Sequence, residues 1–224
     1  MNKKVNDLAM ENKTVQLVNL WHDFEKEHPD ENVDDFCRYH LAALEIKKEK
    51  PATESEKDFA LLPIETKLAR SAGRLSRFHA SYARKALVDL DLNHLDDFLY
   101  LNALSRLKNP KKSELIYENI SEFSSGIEII RRLIKLGLAK EFPDTLDRRS
   151  KRLRLTPKGQ KVLIQCFTKM QELNFMVYRL LSTQDKELIY SMVRRLDKLH
   201  TDVYEKTKNK SLTEIKEVFN HILS

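Results

Sequence analysis

The residues best suited to chemistry lie in a strongly basic stretch, PDTLDRRSKRLRLTPKG, which covers positions 143–159. In its segment KRLRLT, charged and aliphatic side chains alternate, so that Leu153 and Leu155 are expected on one side and Arg152 and Arg154 on the other. A period of two is typical of a half-buried β-strand. The preceding LAKEF can pair with KRLRLT as an antiparallel strand, which leaves PDTLDRRS as the connecting loop. The stretch therefore predicts a basic β-hairpin.

Positive charge is concentrated around this hairpin. The 224-residue chain has a net charge of +6, but residues 131–161 hold eleven basic and three acidic residues, and residues 1–60 hold nine basic and fourteen acidic ones. A local excess of this kind suits a surface that binds a polyanion. The alternative is a solvated hairpin without a ligand, in which the cations would repel one another without a counter-charge.

Composition argues against several other classes of protein. No apolar run approaches the ~20 residues that span a membrane, and the first residues, MNKKVNDLAM, lack the hydrophobic centre of a signal peptide. Cys37 and Cys166 are far apart, predict neither a disulfide framework nor a zinc site, and are expected to be inert. No nucleophile with a positioned base, phosphate loop or metal-ligand cluster is recognisable. We therefore expect a cytoplasmic, mostly helical non-enzyme without a cofactor or metal.

Three short helices are predicted before the hairpin. They correspond to NHLDDFLYLNALSRL, KKSELIYEN and SEFSSGIEIIRRLIKLG. Ser113 and Ser121 are candidate N-terminal caps, and Gly137 stands where a helix would end in a left-handed conformation. Two short helices joined by a tight turn and followed by a basic hairpin are typical of a winged helix-turn-helix.

From Leu92 to about Leu181 the sequence resembles the MarR family of bacterial transcription regulators. The resemblance rests on SELIYEN, RRLIKLGLAKEF and DRRSKRLRLTPKG, since the wing of that family reads approximately D-R-R-x-K-x-x-x-L-T-x-x-G. The fixed positions are met by Asp147, Arg148, Arg149, Lys151, Leu155, Thr156 and Gly159. The resemblance implies a homodimer that binds double-stranded DNA, with recognition helices in the major groove and wings in the minor groove. It also allows for a small-molecule effector, for which the sequence offers no site.

The resemblance assigns DNA contacts to the wing and to the recognition helix. Arg148 and Arg149 are expected to enter the minor groove, where negative potential is concentrated, while Asp147 braces the loop by accepting hydrogen bonds from a neighbouring arginine. Other wing cations are expected to hold the phosphate backbone, namely Lys151, Arg152 and Arg154. In the recognition helix the exposed candidates are Ser124, Ser125, Glu128, Arg131 and Arg132.

The recognition helix departs from the family, whose members usually carry Ser or Thr followed by Arg in its early turns. Glu128 can accept a hydrogen bond from cytosine, discourage indiscriminate binding, or face solvent. Gly126 costs a helix roughly 1 kcal/mol relative to alanine, and is explained equally well by a close approach to DNA or by tight packing. A second interpretation therefore stays open, a winged-helix protein-interaction module that has lost specific DNA reading.

The rest of the chain predicts flanking helices. TVQLVNLWHDFEKEH and VDDFCRYHLAALEIKK predict a helical hairpin and KEKPATESEKD predicts a linker, so residues 1–60 form an acidic N-terminal helical extension. Residues 61–224 are expected to form the MarR-like domain, with the winged helix-turn-helix at 92–161 and dimerisation helices at 61–90 and 157–224. The predicted fold class is mainly α, with a small β-hairpin wing and long dimerisation helices.

Overall fold

A computed structural model of the chain describes residues 12–48, 61–144 and 150–223. In order along the chain, helices α1 to α9 span Lys13–Glu27, Val33–Lys48, Ile64–Leu87, Leu95–Arg106, Lys112–Glu118, Phe123–Lys135, Pro157–Val177, Thr183–Thr207 and Leu212–Leu223. Strand β1 spans Ala139–Pro143, strand β2 spans Lys151–Leu155, and the two form an antiparallel sheet. The predicted fold class, mainly α with a small β-hairpin, is confirmed.

The chain divides into two compact units, residues 1–70 and residues 71–224. In the first unit, α1 and α2 are held together by an aromatic cluster. The ring of Phe36 lies 5.5 Å from that of Phe24 and 5.3 Å from that of Trp21, both edge-to-face. Phe24 and Phe36 are buried, so this pair of helices has a small aromatic core of its own. Most of the predicted linker lies outside the described residues.

The core of the second unit is built around α4. Its apolar side chains recur at the three- and four-residue spacing that places them on one face of a helix, and Tyr100, Leu101 and Leu104 are buried. Leu115 and Ile116 of α5 complete the same core. Burying each such side chain stabilises the fold by roughly 1.5–3 kcal/mol. The α4 helix is therefore the platform on which α5, α6, α7 and the hairpin are positioned.

The hairpin has the pairing that the alternation of KRLRLT predicts. Ala139 lies opposite Leu155, and Pro143 opposite Lys151. Leu153 is buried, and its backbone N–H donates to the carbonyl oxygen of Pro110 at 2.9 Å. The alternating strand is thus anchored to the helical core through its aliphatic side, while on its other side Arg154 is exposed and Arg152 is half-buried.

The end of α6 is formed as predicted. Gly137 has a φ of 70°, the left-handed conformation that glycine adopts without steric cost. The N–H of Leu138 donates to the carbonyl oxygen of Leu133 at 2.9 Å, and the N–H of Gly137 donates to that of Ile134 at 2.9 Å. These two bonds are a Schellman motif, which turns the chain directly from α6 into β1.

The two predicted N-terminal caps are wrong. Helix α5 begins one residue before Ser113, because the carboxylate of Glu114 accepts the N–H of Lys111 at 2.9 Å and closes the first turn there. Helix α6 is preceded by Glu122 rather than Ser121, and the hydroxyl of Ser121 instead donates to the carbonyl oxygen of Asn119 at 3.3 Å. Residue type alone favours the serines as caps, whereas Glu114 fixes the start of α5 and Ser121 lies in the turn before α6.

Candidate nucleic-acid interface

Helix α6 has one buried face and one exposed polar face. Ile129, Ile130 and Leu133 are buried in the core. The side chains that the sequence predicts for DNA contact are exposed, apart from one that is half-buried; the exposed ones are Ser124, Ser125, Glu128 and Arg131. Four polar side chains over two turns present both donors and acceptors, as hydrogen bonding to base edges and phosphates requires.

Gly126 is explained by packing. It is buried, and a Cβ atom at this position would lie 2.6 Å from Cγ1 of Ile116 and 2.7 Å from the hydroxyl oxygen of Tyr100. The sequence leaves open a close approach to DNA or tight packing. The structure supports tight packing of α6 against α5 and α4. The glycine thereby lets the exposed face of α6 sit firmly on the core.

Arg132 is the half-buried member of the predicted set, and it is paired with a carboxylate. Its Nε donates to Oδ1 of Asp97 at 2.8 Å and its Nη2 donates to the same oxygen at 2.5 Å. Asp97 is fully buried, and its other oxygen accepts the N–H groups of Asn93 and His94 at the start of α4, both at 3.2 Å. This ion pair joins α6 to α4. A DNA contact by Arg132 stays a prediction, and the structure gives the side chain a second role, to position α6.

Arg152 is held in a similar way at the base of the wing. Its Nε donates to Oδ2 of Asp144 at 2.8 Å, and its Nη1 donates to the carbonyl oxygen of Asn109 at 2.9 Å. Asp144 is buried, and its N–H donates to the carbonyl oxygen of Ser150 at 3.0 Å where the strands meet the loop. Arg152 therefore fastens the hairpin to the end of α4, and its predicted phosphate contact also stays a prediction.

The sequence interpretation missed Asp97 and Asp144, the buried carboxylates that hold these two arginines. A signal was present for each of them. Asp97 lies in the acidic first turn of α4, where a carboxylate accepts backbone N–H groups. Asp144 follows a strand directly, at the entry to a loop.

Two other cations of the wing have different surroundings. Lys151 Nζ lies 3.0 Å from Oε2 of Glu141 on the paired strand, and Lys112 lies 2.5 Å from the other oxygen. Hydrogen bonds from Lys112, followed by those from Lys151, lower the pKa of the Glu141 carboxyl. Arg154 is exposed, and its guanidinium carbon lies 5.0 Å from the centre of the Phe142 ring. Arg154 is thereby oriented by a ring, and it forms no ion pair with a carboxylate of the described residues.

The wing is tied to α7 by the residues of the T-x-x-G motif. The hydroxyl oxygen of Thr156 accepts the N–H of Gly159 at 3.0 Å and donates to the carbonyl oxygen of Gly137 at 2.6 Å. A Cβ atom at Gly159 would lie only 2.0 Å from the carbonyl oxygen of Leu138. The motif therefore sets the close packing of α7 against the start of β1, which fixes where the hairpin projects.

The predicted tip of the wing falls on residues 145–149. Asp147, Arg148 and Arg149 thus lie outside the described residues, and their roles stay predictions.

Burial raises the pKa of the Cys166 thiol to about 11, whereas Cys37 is exposed. In the part of the chain that the structure describes, no group of three or more His, Cys, Asp or Glu side chains is arranged to hold a metal ion. None of the helices described is long and apolar enough to cross a lipid bilayer.

Comparison with known proteins gives a match for the region that contains α4 to β2. A family model described as a winged helix DNA-binding domain matches residues 92–159. No curated protein matches the sequence significantly.

Several solved structures share the fold. One is a structure of MarR, with a TM-score of 0.58 and 18% identity, covering 70% of this chain and 100% of that chain. Another is the transcriptional regulator SlyA, with a TM-score of 0.56 and 20% identity, covering 62% and 96%. A third is a cysteine-to-serine mutant of MarR from E. coli in complex with operator DNA, with a TM-score of 0.54 and 18% identity, covering 58% and 92%. Residues 92–159 therefore match a winged-helix DNA-binding domain, and the chain shares the fold of MarR-type structures.

Proposed function

We propose that this protein is a sequence-specific, double-stranded-DNA-binding transcription regulator that acts as a homodimer in the cytoplasm. The observation that carries the proposal is the exposed polar face of α6, which lies on the opposite side from Ile130 and Leu133 within a winged-helix DNA-binding domain. A firmly packed helix with an outward polar face is what insertion into a DNA groove requires.

Helix α6 is proposed to enter the major groove, which is about 12 Å wide and admits an α-helix. There Ser124 and Ser125 bind phosphates or base edges, and Arg131 binds a phosphate or the paired acceptors of guanine. Glu128 accepts a hydrogen bond from the amino group of cytosine and disfavours sites that would place its charge against phosphate. Arg132 contributes by holding α6 in place through Asp97.

The wing is proposed to enter the minor groove beside it. Arg148 and Arg149 supply the inserted cations, because a narrow minor groove concentrates negative potential. Lys151 and Arg154 bind the sugar-phosphate backbone, and Arg152 keeps the hairpin attached to α4 through Asp144 and Asn109.

Homodimerisation is supported by apolar side chains that a single chain leaves in water. On α7, α8 and the turn between them, the most exposed large ones are Ile164, Phe175, Leu180, Tyr190, Val193 and Leu196, which are 56–95% exposed. A concentration of apolar surface of this kind marks an interface. A two-fold symmetric dimer would match an inverted-repeat operator, with half-sites about 34 Å apart.

A small-molecule effector has a candidate position in these same helices. A cavity of about 480 Å³ between α7 and α8 is lined by the aromatic side chains of Phe175, Tyr178 and Tyr190 and also by Lys186. Because this cavity shares Phe175, Tyr190 and Val193 with the proposed dimer interface, an occupant would change the spacing between the two α6 helices and so the affinity for DNA.

The alternative function, a protein-interaction module, is favoured by one observation. Two of the predicted DNA-binding arginines, Arg132 and Arg152, are bound to carboxylates, and the exposed face of α6 includes the acidic Glu128. With these two arginines paired, α6 and the wing together offer less positive charge to DNA than the sequence predicts.

Selection of bound duplexes from a random pool tests the proposal against this alternative. The proposed function predicts enrichment of an inverted repeat whose half-sites are one helical turn apart. In the same selection, the double variant Arg148→Ala/Arg149→Ala is expected to enrich the half-site that α6 reads. It should bind this half-site more weakly and with less sequence preference at the minor-groove positions. Recovery of no enriched sequence, together with no duplex binding at low salt, would contradict the proposal and favour the interaction module.

A further inference from the structure

A basic turn at the end of α8 lies outside the interface described above. The sequence KTKNK, residues 206–210, carries the exposed side chains of Lys206, Lys208 and Lys210 without an acidic residue among them. None of these lysines forms an ion pair with another described residue. The nearby acidic residues are Glu205, which directly precedes Lys206, and Glu214. Glu214 caps α9, because its carboxylate accepts the N–H and the hydroxyl of Ser211, both at 2.8 Å, and these hydrogen bonds, together with the charge of Lys210, lower its pKa.

This turn is packed against the helix-turn-helix. The ammonium nitrogen of Lys208 lies 4.2 Å from the centre of the Tyr117 ring in α5, a cation–π contact. Val203 and Thr207, in the last turn of α8, are 3% and 4% exposed. Ile120, in the turn between α5 and α6, lines the same pocket as these two residues. The basic turn is thus held beside the helix-turn-helix through Lys208, while the side chains of Lys206 and Lys210 are exposed.

The position of the turn places its cations near the part of α6 that is proposed to enter DNA. Ile120 precedes Ser124 by four residues, and four residues span at most about 14 Å. When the start of α6 lies in a major groove, the phosphates that border the groove lie on either side of it. A strand that borders the groove at the start of α6 would therefore pass close to the basic turn that Lys208 holds against α5.

We propose that Lys206 and Lys210 form a third DNA-contacting surface, which binds phosphate groups of the duplex outside the region held by α6 and the wing. Lys208 anchors this surface on Tyr117. The ligand is the phosphodiester backbone of double-stranded DNA, so the contact adds affinity without sequence preference. This inference rests on the proposed function and extends it from two contact elements per subunit to three.

The test compares Lys206→Gln/Lys210→Gln with a control of equal charge change, Lys13→Gln/Lys26→Gln, on exposed positions of α1. Binding is measured by fluorescence anisotropy over a salt series, with a duplex of about 40 bp and one trimmed to about 24 bp, which still covers two half-sites. On the long duplex, the first variant is expected to reduce the slope of log K against log salt by about 3.6, since a dimer loses four contacts worth about 0.9 each.

Two further comparisons complete the test. The wild type on the trimmed duplex should keep its slope, because that duplex still extends about 7 bp, roughly 24 Å, beyond each half-site centre. The control on the long duplex should match the wild type. Equal slopes for the two variants on the long duplex would overturn the third surface and leave the proposed function intact. Failure of the wild type to bind either duplex at low salt would overturn both.

Discussion

Arg131 and Arg132 are neighbours of the same type on α6, and the structure predicts opposite consequences for removing them. Arg131 is exposed, whereas Arg132 donates two hydrogen bonds to the fully buried Asp97. Replacing each with methionine keeps most of the aliphatic side chain and removes only the guanidinium. We expect Arg132→Met to affect stability and Arg131→Met to affect DNA binding.

The size of the first effect follows from the burial of Asp97. Removing one partner of a buried ion pair costs about 3–5 kcal/mol, because the other charge is left uncompensated. Arg132 is 32% exposed and Asp97 keeps two backbone N–H donors at 3.2 Å, so solvent screening and these bonds reduce the loss to about 2–3 kcal/mol. For a protein of this size, that corresponds to a fall in Tm of roughly 5–10 °C.

Urea unfolding and anisotropy with the selected duplex measure the two effects separately. Arg131→Met should unfold within about 0.5 kcal/mol of the wild type and bind DNA roughly 5- to 100-fold more weakly, as expected for the loss of a base or phosphate contact. Arg132→Met should bind within about threefold of the wild type at a temperature where it is folded. The reasoning would be refuted if Arg132→Met were as stable as the wild type and lost as much DNA affinity as Arg131→Met.

Two further predictions concern a close packing contact and the thiols. Gly159→Ala should destabilise the fold by about 3 kcal/mol, because the added Cβ would lie 2.0 Å from the carbonyl oxygen of Leu138. Gly73→Ala, which adds a Cβ in open space, should instead stabilise α3 by about 1 kcal/mol. Equal urea midpoints for the two variants would contradict this prediction. At pH 8 one thiol, Cys37, should react rapidly with a thiol reagent, and Cys166 only after denaturation. Burial raises the pKa of Cys166 to about 11. The folding stability that the buried, protonated thiol contributes is therefore complete below the unfolded pKa of about 8.5 and is lost as the pH rises towards 11. Rapid reaction of both thiols in the folded protein would show that Cys166 is not protected.

The hairpin and the end of α6 could be predicted from the sequence because local patterns determine them. The alternation in KRLRLT has only one arrangement that buries Leu153, and the chain after Leu133 needs a residue that tolerates a positive φ, which Gly137 supplies. Ser113 is not a cap because Glu114, as the acceptor of the Lys111 N–H, fixes the start of α5. Ser121 is not a cap because its N–H and its hydroxyl are bonded to carbonyl oxygens at the end of α5.

The partners of the arginines could not be predicted because they depend on contacts between distant parts of the chain. Arg132 and Asp97 are 35 residues apart, and Arg152 meets Asn109 from 43 residues away. From the sequence, a cation on a helix or a strand looks equally available to solvent, DNA or a carboxylate. Only the packing of α4 against α6 and of the wing against the end of α4 distinguishes these outcomes.

The measurement that tests the central claim most directly is the salt dependence of binding to the selected duplex and to a scrambled duplex of equal length. We predict tighter binding to the selected duplex and a steep salt slope on both, with the slope flattened by Arg148→Ala/Arg149→Ala, because these arginines replace condensed counterions on the DNA. Equal affinity for the two duplexes would contradict sequence-specific recognition by α6. No binding at low salt would contradict the regulator itself.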